Sequence, residues 1–299
     1  MSAAVVQAYA KVNLCLEVLG RRDDGYHELL TIFQSVSLAD ELEVEVTDRP
    51  GTVLSVADGA APEGSDNLCW RAAEAYRAVR GWPQGVSIRL VKRIPAGAGL
   101  GGGSSDAAAV VCGLRALDAA PPPAREVERV LAGLGSDVPF FLTGGTALGS
   151  GRGDRVATLP HLPLCWIVLV KPALAVSTAE AYGMLEPRNF SGGARARAMA
   201  AAIDRGAGLA EIAAEVYSAF APVLTQRWPV LGELKSRLRR SGALAAEITG
   251  SGSAVFGLFG SRTEASAAAH GLSADGLWSC LAHPVAAGQH VRVGLEGSR

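Results

Sequence analysis

The sequence lacks several features that would assign a protein to a simple class. Its net charge at pH 7 is −1, from 28 basic and 29 acidic residues, so no overall charge favours binding to nucleic acid or to an anionic membrane. No apolar run reaches the roughly 18 residues that a membrane-spanning helix needs. The amino-terminal residues also lack the basic and apolar regions of a signal peptide. We therefore expect a soluble cytoplasmic protein with no nucleic-acid or membrane partner.

Cysteine is also scarce and scattered. The chain has five cysteines, and no two of them form a C-x-x-C motif. An odd number at such wide spacing excludes a regular disulfide framework and a zinc site built on paired cysteines. We expect reduced, mostly buried thiols at Cys15, Cys69, Cys112, Cys165 and Cys280.

What the chain does have is enough apolar sequence for a large core: 299 residues, 49% of them hydrophobic. Strand and helix patterns are mixed along it without an internal repeat, which indicates an α+β fold. The proline-flanked stretch PHLP, residues 160–163, separates a predicted hairpin from a predicted buried strand. We place a boundary there and predict two domains, residues 1–160 and 161–299. The sequence does not decide between a monomer and a homodimer.

Several patterns predict individual elements. The stretch YAKVNLCLEVLG, residues 9–20, alternates as a strand does, with Lys11 and Asn13 together on its polar face. Asp66 is a candidate N-cap for a helix over residues 67–80, which Gly81 would end. A strand is predicted over 86–94, a helix over 105–117, and a helix beginning with the capping box of Ser177 and Glu180.

The most informative stretch is IPAGAGLGGGSSDAAAV, residues 94–110, with five glycines between Gly97 and Gly103. A dinucleotide-binding turn would need a second strand with an acidic end about 20 residues on, and the nearest candidate, Asp118, runs into three prolines. A P-loop would need G-K-[ST], which is absent. A protein-kinase loop would lead into a strand, and a flexible linker would not join a strand directly to a helix.

The interpretation that remains is a glycine-rich turn that presents a helix N-terminus to phosphate. Glycines let backbone N–H groups approach an anion closely, and the unpaired N–H groups of a first helical turn favour negative charge. Ser104 and Ser105 add hydroxyls that can donate to a phosphate or ligate a cation. The stretch therefore predicts a triphosphate site that has no lysine of its own.

These residues carry a resemblance to a known family. PAGAGLGGGSSDAA resembles the nucleotide loop of the GHMP superfamily of small-molecule kinases. Within that superfamily, YAKVNLCLEVLGRRDDGYHEL, GSDVPFF and VKPALAVSTAEAY are similar to motifs of the kinases that act on 4-diphosphocytidyl-2-C-methyl-D-erythritol. TGSGSAVFGLF resembles the superfamily's carboxy-terminal glycine-rich motif. The resemblance implies a two-domain GHMP kinase fold with the active site in the cleft between the domains.

The resemblance also implies a reaction and a set of site residues. The reaction is transfer of the γ-phosphoryl group of ATP, with Mg²⁺, to the 2-hydroxyl of a small cytidine-diphosphate-linked substrate. Asp137 matches the catalytic base and Lys11 the lysine beside it, and an ammonium there would favour the ionised carboxylate and offset transition-state charge. The ATP-binding residues are expected to be Pro95, Gly97, Gly99, Leu100, Gly101, Gly102, Gly103, Ser104 and Ser105, with Ser105 also the metal ligand. The substrate-binding residues are expected to be Asn13, Tyr26, His27, Val176, Thr178, Gly250 and Gly252.

Some alternatives stay open at this point. Asp66 and Asn67 could cap a helix or contact adenosine. The acceptor could be another small alcohol such as mevalonate or homoserine, or the protein could be a nucleotide-binding regulator without activity. The sequence departs from the family pattern at Tyr217-Ser218 and at Glu247. Both positions lie in the carboxy-terminal half of the chain, which by the resemblance contributes to substrate specificity.

Overall fold

The computed structural model describes residues 2–58 and 61–295, which form two β-sheets with helices packed around them. The strands are β1 Ser2–Arg21, β2 His27–Thr47, β3 Thr52–Asp58, β4 Gly85–Val91, β5 Thr146–Gly151, β6 Arg155–Leu159, β7 Trp166–Lys171, β8 Tyr217–Ser218, β9 Ala245–Ile248, β10 Val255–Phe259, β11 Trp278–Ala282 and β12 Gln289–Leu295. The helices are α1 Leu68–Arg80, α2 Gly102–Leu117, α3 Ala124–Ala132, α4 Val138–Thr143, α5 Thr178–Gly183, α6 Ala194–Asp204, α7 Leu209–Ala214, α8 Ala221–Arg227, α9 Pro229–Arg240 and α10 Arg262–Ala274. The predicted α+β class is confirmed.

The first sheet has the order β12-β1-β2-β4-β3, with β5 and β6 continuing from the other end of the long strand β2. The second sheet is antiparallel, in the order β11-β7-β10-β9. The predicted boundary at residue 160 falls between β6 and β7, which belong to different sheets. β8 and β12, however, pair with β1 in the first sheet, so the two sheets are not separated by one cut in the chain. The domain ranges 1–160 and 161–299 stay a prediction.

The second sheet is buried on both faces, as the continuous apolar run of β7 predicts. Ile167 and Leu169 pack with α6 and α7 on one side. Val168 and Val170 pack with α8, α9 and α10 on the other. A separate core joins the first sheet to α1 and α2. Within the described residues, no helix is both long and apolar enough to cross a membrane.

Two helix starts differ from the prediction by a few residues. α1 begins at Leu68, and its N-cap is Asn67, whose side chain accepts a hydrogen bond from the Cys69 N–H, so Asp66 is not the cap. α2 begins at Gly102, three residues before the predicted start. Glycine has a low helix propensity, which favours a later start, but the strand before the loop and the packing of α2 hold this turn in helical form.

The edge of β1 is interrupted at the centre of the molecule. β12 pairs with residues 2–8 of this edge and β8 with Cys15 and Leu16. Between them the backbone N–H groups bond to two loops: Lys11 donates to the Leu100 carbonyl (3.0 Å) and Asn13 donates to the Thr249 hydroxyl (3.0 Å). Buried backbone donors need such partners, so two loops replace a strand here.

The two loops also bond to each other. We call residues 95–103 the glycine loop and residues 249–254 the second glycine loop. Ala254 N–H donates to the Ala98 carbonyl at 3.1 Å. Gly99 has φ +72°, and a Cβ there would lie 2.2 Å from the Thr249 carbonyl oxygen. Only glycine allows this close approach of two backbones.

We predict that Gly99→Ala destabilises the protein by about 2 kcal/mol or more, because the side chain adds both a strained φ and a backbone clash. Thermal and urea unfolding would measure the change. Gly271→Ala is the matched control: Gly271 lies inside α10, has no atom within 4 Å of an added Cβ and lacks a positive φ, so we expect a neutral or slightly stabilising effect. Equal stability of the two variants would contradict the packing argument.

Candidate active site

Lys11 lies near the middle of β1, where the strand is buried on both faces. Its predicted polar face looks into the cleft and not into open solvent, and the side chain is only 4% exposed. Lys11 Nζ donates to Asn13 Oδ1 at 2.6 Å and lies 3.4 Å from Asp137 Oδ2. A buried ammonium needs such partners because leaving water is costly for a charge.

Asp137 reaches Lys11 from the start of a short helix. The segment GSDVPFF forms the start of α4, with Pro139 in its first turn and Asp137 at the N-cap. The Asp137 carboxylate makes no capping hydrogen bond, so it is available to the cleft, where its side chain is 29% exposed. The sequence therefore placed the right residue type here, and the packing of α4 against α2 brings it to Lys11.

The side chain of Asn13 forms hydrogen bonds with Lys11 and Thr31. Its Oδ1 accepts from Lys11, and its Nδ2 donates to the Thr31 hydroxyl at 2.8 Å, which in turn donates to the Cys15 carbonyl at 2.7 Å. The amide therefore holds Lys11 in one position. Direct contact between Asn13 and a substrate hydroxyl stays a prediction.

The glycine loop lines one wall of a cavity of about 540 Å³, which we call the loop cavity. α2 starts at Gly102, and the first helical bond of its backbone runs from the Ser105 N–H to the Gly101 carbonyl. The N–H groups of Gly102, Gly103 and Ser104 therefore precede the helical bonding pattern, at the positive end of the helix dipole. This is an arrangement that suits a phosphate group.

Ser105 is not in this cavity, which corrects its predicted role as a metal ligand. The residue is fully buried, and its hydroxyl donates to the Tyr9 carbonyl at 2.7 Å. Gln289 on β12 donates to the carbonyl of the same residue at 3.0 Å. Because the helix starts three residues early, Ser105 falls on the face of α2 that packs against β1 and β12. The cavity lining includes the neighbouring Ser104.

The second glycine loop and α5 close the opposite side of the loop cavity. Gly250 and Gly252 line it, together with Val176 and Thr178. The Thr178 hydroxyl lies 3.2 Å from the Ser251 hydroxyl, so the start of α5 and the second glycine loop are linked across this side. The predicted N-cap of α5 is also present, since Ser177 accepts from the Glu180 N–H.

A second cavity, of about 890 Å³, adjoins the first, and we call it the aromatic cavity. Tyr26 and His27 line it with Tyr182 and Phe190. The His27 ring stacks on Tyr182 with centroids 5.0 Å apart and meets Phe190 edge-on at 5.9 Å. The residues that line both cavities mark the passage between them: Leu29, Gly135, Ser136, Arg152, Thr178 and Tyr182.

Burial alters the acid–base properties of this aromatic pair. Partial burial, aided by the charge of Arg21, lowers the pKa of His27 from its ordinary value. A neutral imidazole has one donor and one acceptor nitrogen, as recognition of a base edge requires. Burial raises the pKa of Tyr182, and the charge of Asp137 adds to the effect, so Tyr182 stays a neutral phenol.

The structure thus gathers the predicted site residues, except Ser105, around the two connected cavities. It adds residues that sequence reasoning missed. Arg152 lies in the turn between β5 and β6, and its guanidinium lies over the Tyr26 ring at 4.8 Å. Tyr182 could have been found, because it follows Thr178 by four residues on α5 and so shares its face. Asp66 and Asn67 line the loop cavity as well, so Asn67 both caps α1 and faces this space.

Comparisons with known proteins agree with this geometry. Profiles of the GHMP kinase N-terminal domain and the GHMP kinase C-terminal domain match residues 67–145 and 199–276. A 4-diphosphocytidyl-2-C-methyl-D-erythritol kinase from Pelotomaculum thermopropionicum is 46% identical over 252 residues, 84% of this chain and 87% of the relative. One from Geobacter metallireducens is 38% identical over 292 residues, 94% of this chain and 98% of the relative.

A crystal structure of 4-(cytidine 5'-diphospho)-2C-methyl-D-erythritol kinase superposes with a TM-score of 0.80 at 39% identity, covering 94% of this chain and 98% of that one. The chain belongs to the 4-diphosphocytidyl-2-C-methyl-D-erythritol kinase family of GHMP kinases. The GHMP fold that the sequence predicted is therefore confirmed, and the protein is a small-molecule kinase.

A GHMP kinase uses a nucleotide, and the residues of the loop cavity fit a triphosphate: free helical N–H groups, a glycine-lined wall and a buried ammonium at Lys11. The fit for Mg²⁺ is different. Within residues 2–58 and 61–295, no group of three or more His, Cys, Asp or Glu side chains could hold a metal ion. Magnesium is commonly held largely by substrate phosphates and water, so we assign it no protein ligand here.

We predict that the pKa of His27 lies below the roughly 6.5 of a free histidine, because its ring is partly buried against Tyr182 and Phe190. Protonation of His27 is then less favourable in the folded state than in the unfolded state. The free energy of unfolding therefore decreases as the pH falls through the ordinary histidine pKa. An NMR titration of the imidazole protons would measure it. Tyr182→Ala should uncover the ring and move its pKa upward; an unchanged titration in that variant would contradict burial as the cause.

Proposed function

We propose that this kinase transfers the γ-phosphoryl group of ATP to the 2-hydroxyl of 4-diphosphocytidyl-2-C-methyl-D-erythritol, a step of isoprenoid precursor synthesis by the non-mevalonate route. The observation that carries this proposal is the position of the Lys11–Asp137 pair. It lies in the loop cavity beside Gly135 and Ser136, which border the aromatic cavity as well. A nucleotide in one cavity and a cytidine-linked alcohol in the other would meet at this pair.

The glycine loop would hold the triphosphate. The first N–H groups of α2, together with the Ser104 hydroxyl, can donate to its oxygens, and the loop's backbone can come close because it lacks side chains. Bound Mg²⁺ would neutralise phosphate charge. We expect the reaction to take place in the cytoplasm.

Asp137 would act as the base and Lys11 as the electrostatic stabiliser. The acceptor hydroxyl gives its proton to the Asp137 carboxylate while its oxygen forms a bond to the γ-phosphorus. The bond from that phosphorus to the β,γ-bridging oxygen breaks, and ADP leaves with the electron pair. Phosphoryl transfer depends mainly on positioning and charge stabilisation. The ammonium of Lys11, held by Asn13, would stay close to the negative charge throughout.

The aromatic cavity would bind the cytidine diphosphate portion. The exposed Tyr26 offers a ring face for stacking on a base, and neutral His27, held against Tyr182, can donate and accept at its edge. Arg152 lies at the passage toward Asp137 and lines both cavities. Its charge is partly balanced by Asp154 at 3.2 Å. A guanidinium at this point would suit a diphosphate bound between base and acceptor hydroxyl.

The decisive measurement is a coupled kinase assay on the purified protein with the cytidine-linked substrate, mevalonate, homoserine and galactose. We expect turnover of the cytidine-linked substrate and little of the others. Asp137→Asn should lose at least about 10²-fold in kcat, because it removes a positioned base, while binding of a non-hydrolysable ATP analogue persists.

Near-normal kcat in Asp137→Asn would remove it as the base. Preferred turnover of another alcohol would overturn the substrate assignment and favour a different GHMP acceptor. Binding of nucleotide without turnover of any of the four would indicate a silent regulator.

We further predict that Arg152→Gln raises KM for the cytidine-linked substrate about tenfold and changes KM for ATP less, because its guanidinium lies over Tyr26 in the aromatic cavity. Initial rates at varied concentration of each substrate would measure both. The matched control is Arg155→Gln, three residues along in the same hairpin and exposed. Equal effects of the two substitutions would show that Arg152 acts only through the hairpin's overall charge.

A further inference from the structure

A buried cluster of charged side chains lies beneath the base of the glycine loop. Lys92 directly follows β4, Asp40 lies on β2, and Asp106 is in the second turn of α2. The Lys92 ammonium contacts Asp40 Oδ2 and lies 2.7 Å from Asp106 Oδ2. The three side chains are at most 9% exposed. None of the three residues is among the site residues predicted from the sequence.

The cluster joins the two ends of the loop. At its start, the other oxygen of Asp40 accepts hydrogen bonds from the backbone N–H groups of Arg93 and Ile94. At its end, Lys92 reaches across to Asp106, four residues into α2. A chain segment closed in this way at its base has fewer conformations to sample. The positions of the N–H groups at Gly102 and Gly103 therefore depend on these contacts.

The cluster also forms part of the wall of the loop cavity. Lys92 and Asp106 both line the loop cavity. A Cβ added to Gly102 would come within 3.1 Å of Lys92 Nζ, so the ammonium lies directly against the first residue of α2. A displacement of Lys92 would be transmitted to the phosphate-binding turn through this contact.

Burial and neighbouring charges act in opposite directions on the pKa values of the cluster. Burial raises the pKa of Asp106 to about 8; the ammonium of Lys92 opposes the shift and the carboxylate of Asp40 adds to it. Burial acts against the charge of Lys92, but Asp106 and Asp40 outweigh it and raise the pKa of Lys92. The remaining titratable group beside Asp106 is Cys69 on α1, whose pKa burial raises well above the usual range.

One atom of the cluster is left without a partner. Asp106 Oδ1 is buried and makes no hydrogen bond within the described residues. Such an atom costs stability, and its retention in a folded protein calls for a reason other than stability.

We propose that Asp40, Lys92 and Asp106 form a clip that closes the base of the glycine loop, and that Asp106 is a positioning residue for ATP. This inference rests on the proposed function. The clip does not touch the acceptor hydroxyl, so its loss should weaken nucleotide binding selectively and leave the cytidine-linked substrate unaffected.

The test compares Asp106→Ala and Asp106→Asn with the wild-type protein. Calorimetry with Mg²⁺ and a non-hydrolysable ATP analogue gives the nucleotide Kd, and initial rates give KM for the cytidine-linked substrate. We expect Asp106→Ala to raise the Kd at least about tenfold with KM for the other substrate within about twofold, as a loss confined to nucleotide binding requires. Asp106→Asn keeps the shape of the side chain and an oxygen that can accept from Lys92, so it should stay within about threefold of wild type for both constants.

Asp118, at the other end of α2, is the matched control. Its side chain is 2% exposed and accepts from Tyr76 and from Arg80, each at 3.0 Å. Asp118→Ala should lower the melting temperature without changing the nucleotide Kd. If Asp106→Ala does not fold, Asp106→Ser is measured in its place, because serine is too short to reach Lys92 but keeps a polar group.

Three results would overturn the clip. The first is a nucleotide Kd in Asp106→Ala, or in Asp106→Ser where that replaces it, no higher than in Asp118→Ala. The second is an equal loss of affinity for both substrates, and the third is a failure of Asp106→Asn to restore binding. A wild-type protein that does not bind the analogue would overturn the proposed function itself, and the clip with it.

Discussion

The interrupted edge of β1 is the constraint on which the rest of this structure depends. A strand whose N–H groups are buried must have acceptors along its whole length. Between β12 and β8, the acceptors at Lys11 and Asn13 come from the glycine loop and the second glycine loop. Each loop can supply an acceptor only if it approaches β1 closely, and the two must then touch each other. Their glycines permit that approach. One unpaired stretch of strand therefore sets the place where two distant parts of the chain meet.

The chemistry of the site follows from the same interruption. Two loops leave room for a cavity, and they place Lys11 between helical N–H groups on one side and Asp137 on the other. Because the glycine loop has no lysine of its own, positive charge comes from a strand about ninety residues earlier. The bond from Lys11 to Asn13 keeps that charge in place.

The two departures from the family pattern lie away from this centre. Glu247 on β9 forms an ion pair with Lys235 at 2.6 Å and is buried beneath α9. Tyr217 and Ser218 form β8 and pair with Cys15 and Leu16, although the buried Ser218 hydroxyl has no partner in the described structure. Both positions stabilise the scaffold around β1 and β9, and neither lines the loop cavity or the aromatic cavity.

Local patterns in the sequence determined much of this protein. Alternation predicted β1, an apolar run predicted the fully buried β7, and a capping box predicted the start of α5, because each depends on neighbours in the chain. The glycine-rich stretch likewise predicted a loop between a strand and a helix, which lies between β4 and α2. Where tertiary contacts compete with local preference, the prediction was wrong: α2 begins three residues early, and Ser105 lies in the core. The family resemblance already implied that Lys11 lies beside Asp137, but only the tertiary structure placed Arg152 over Tyr26 and joined Lys92 to Asp40 and Asp106. These contacts join residues far apart in sequence, and they exist because buried charges and backbone N–H groups must find partners wherever the fold provides them.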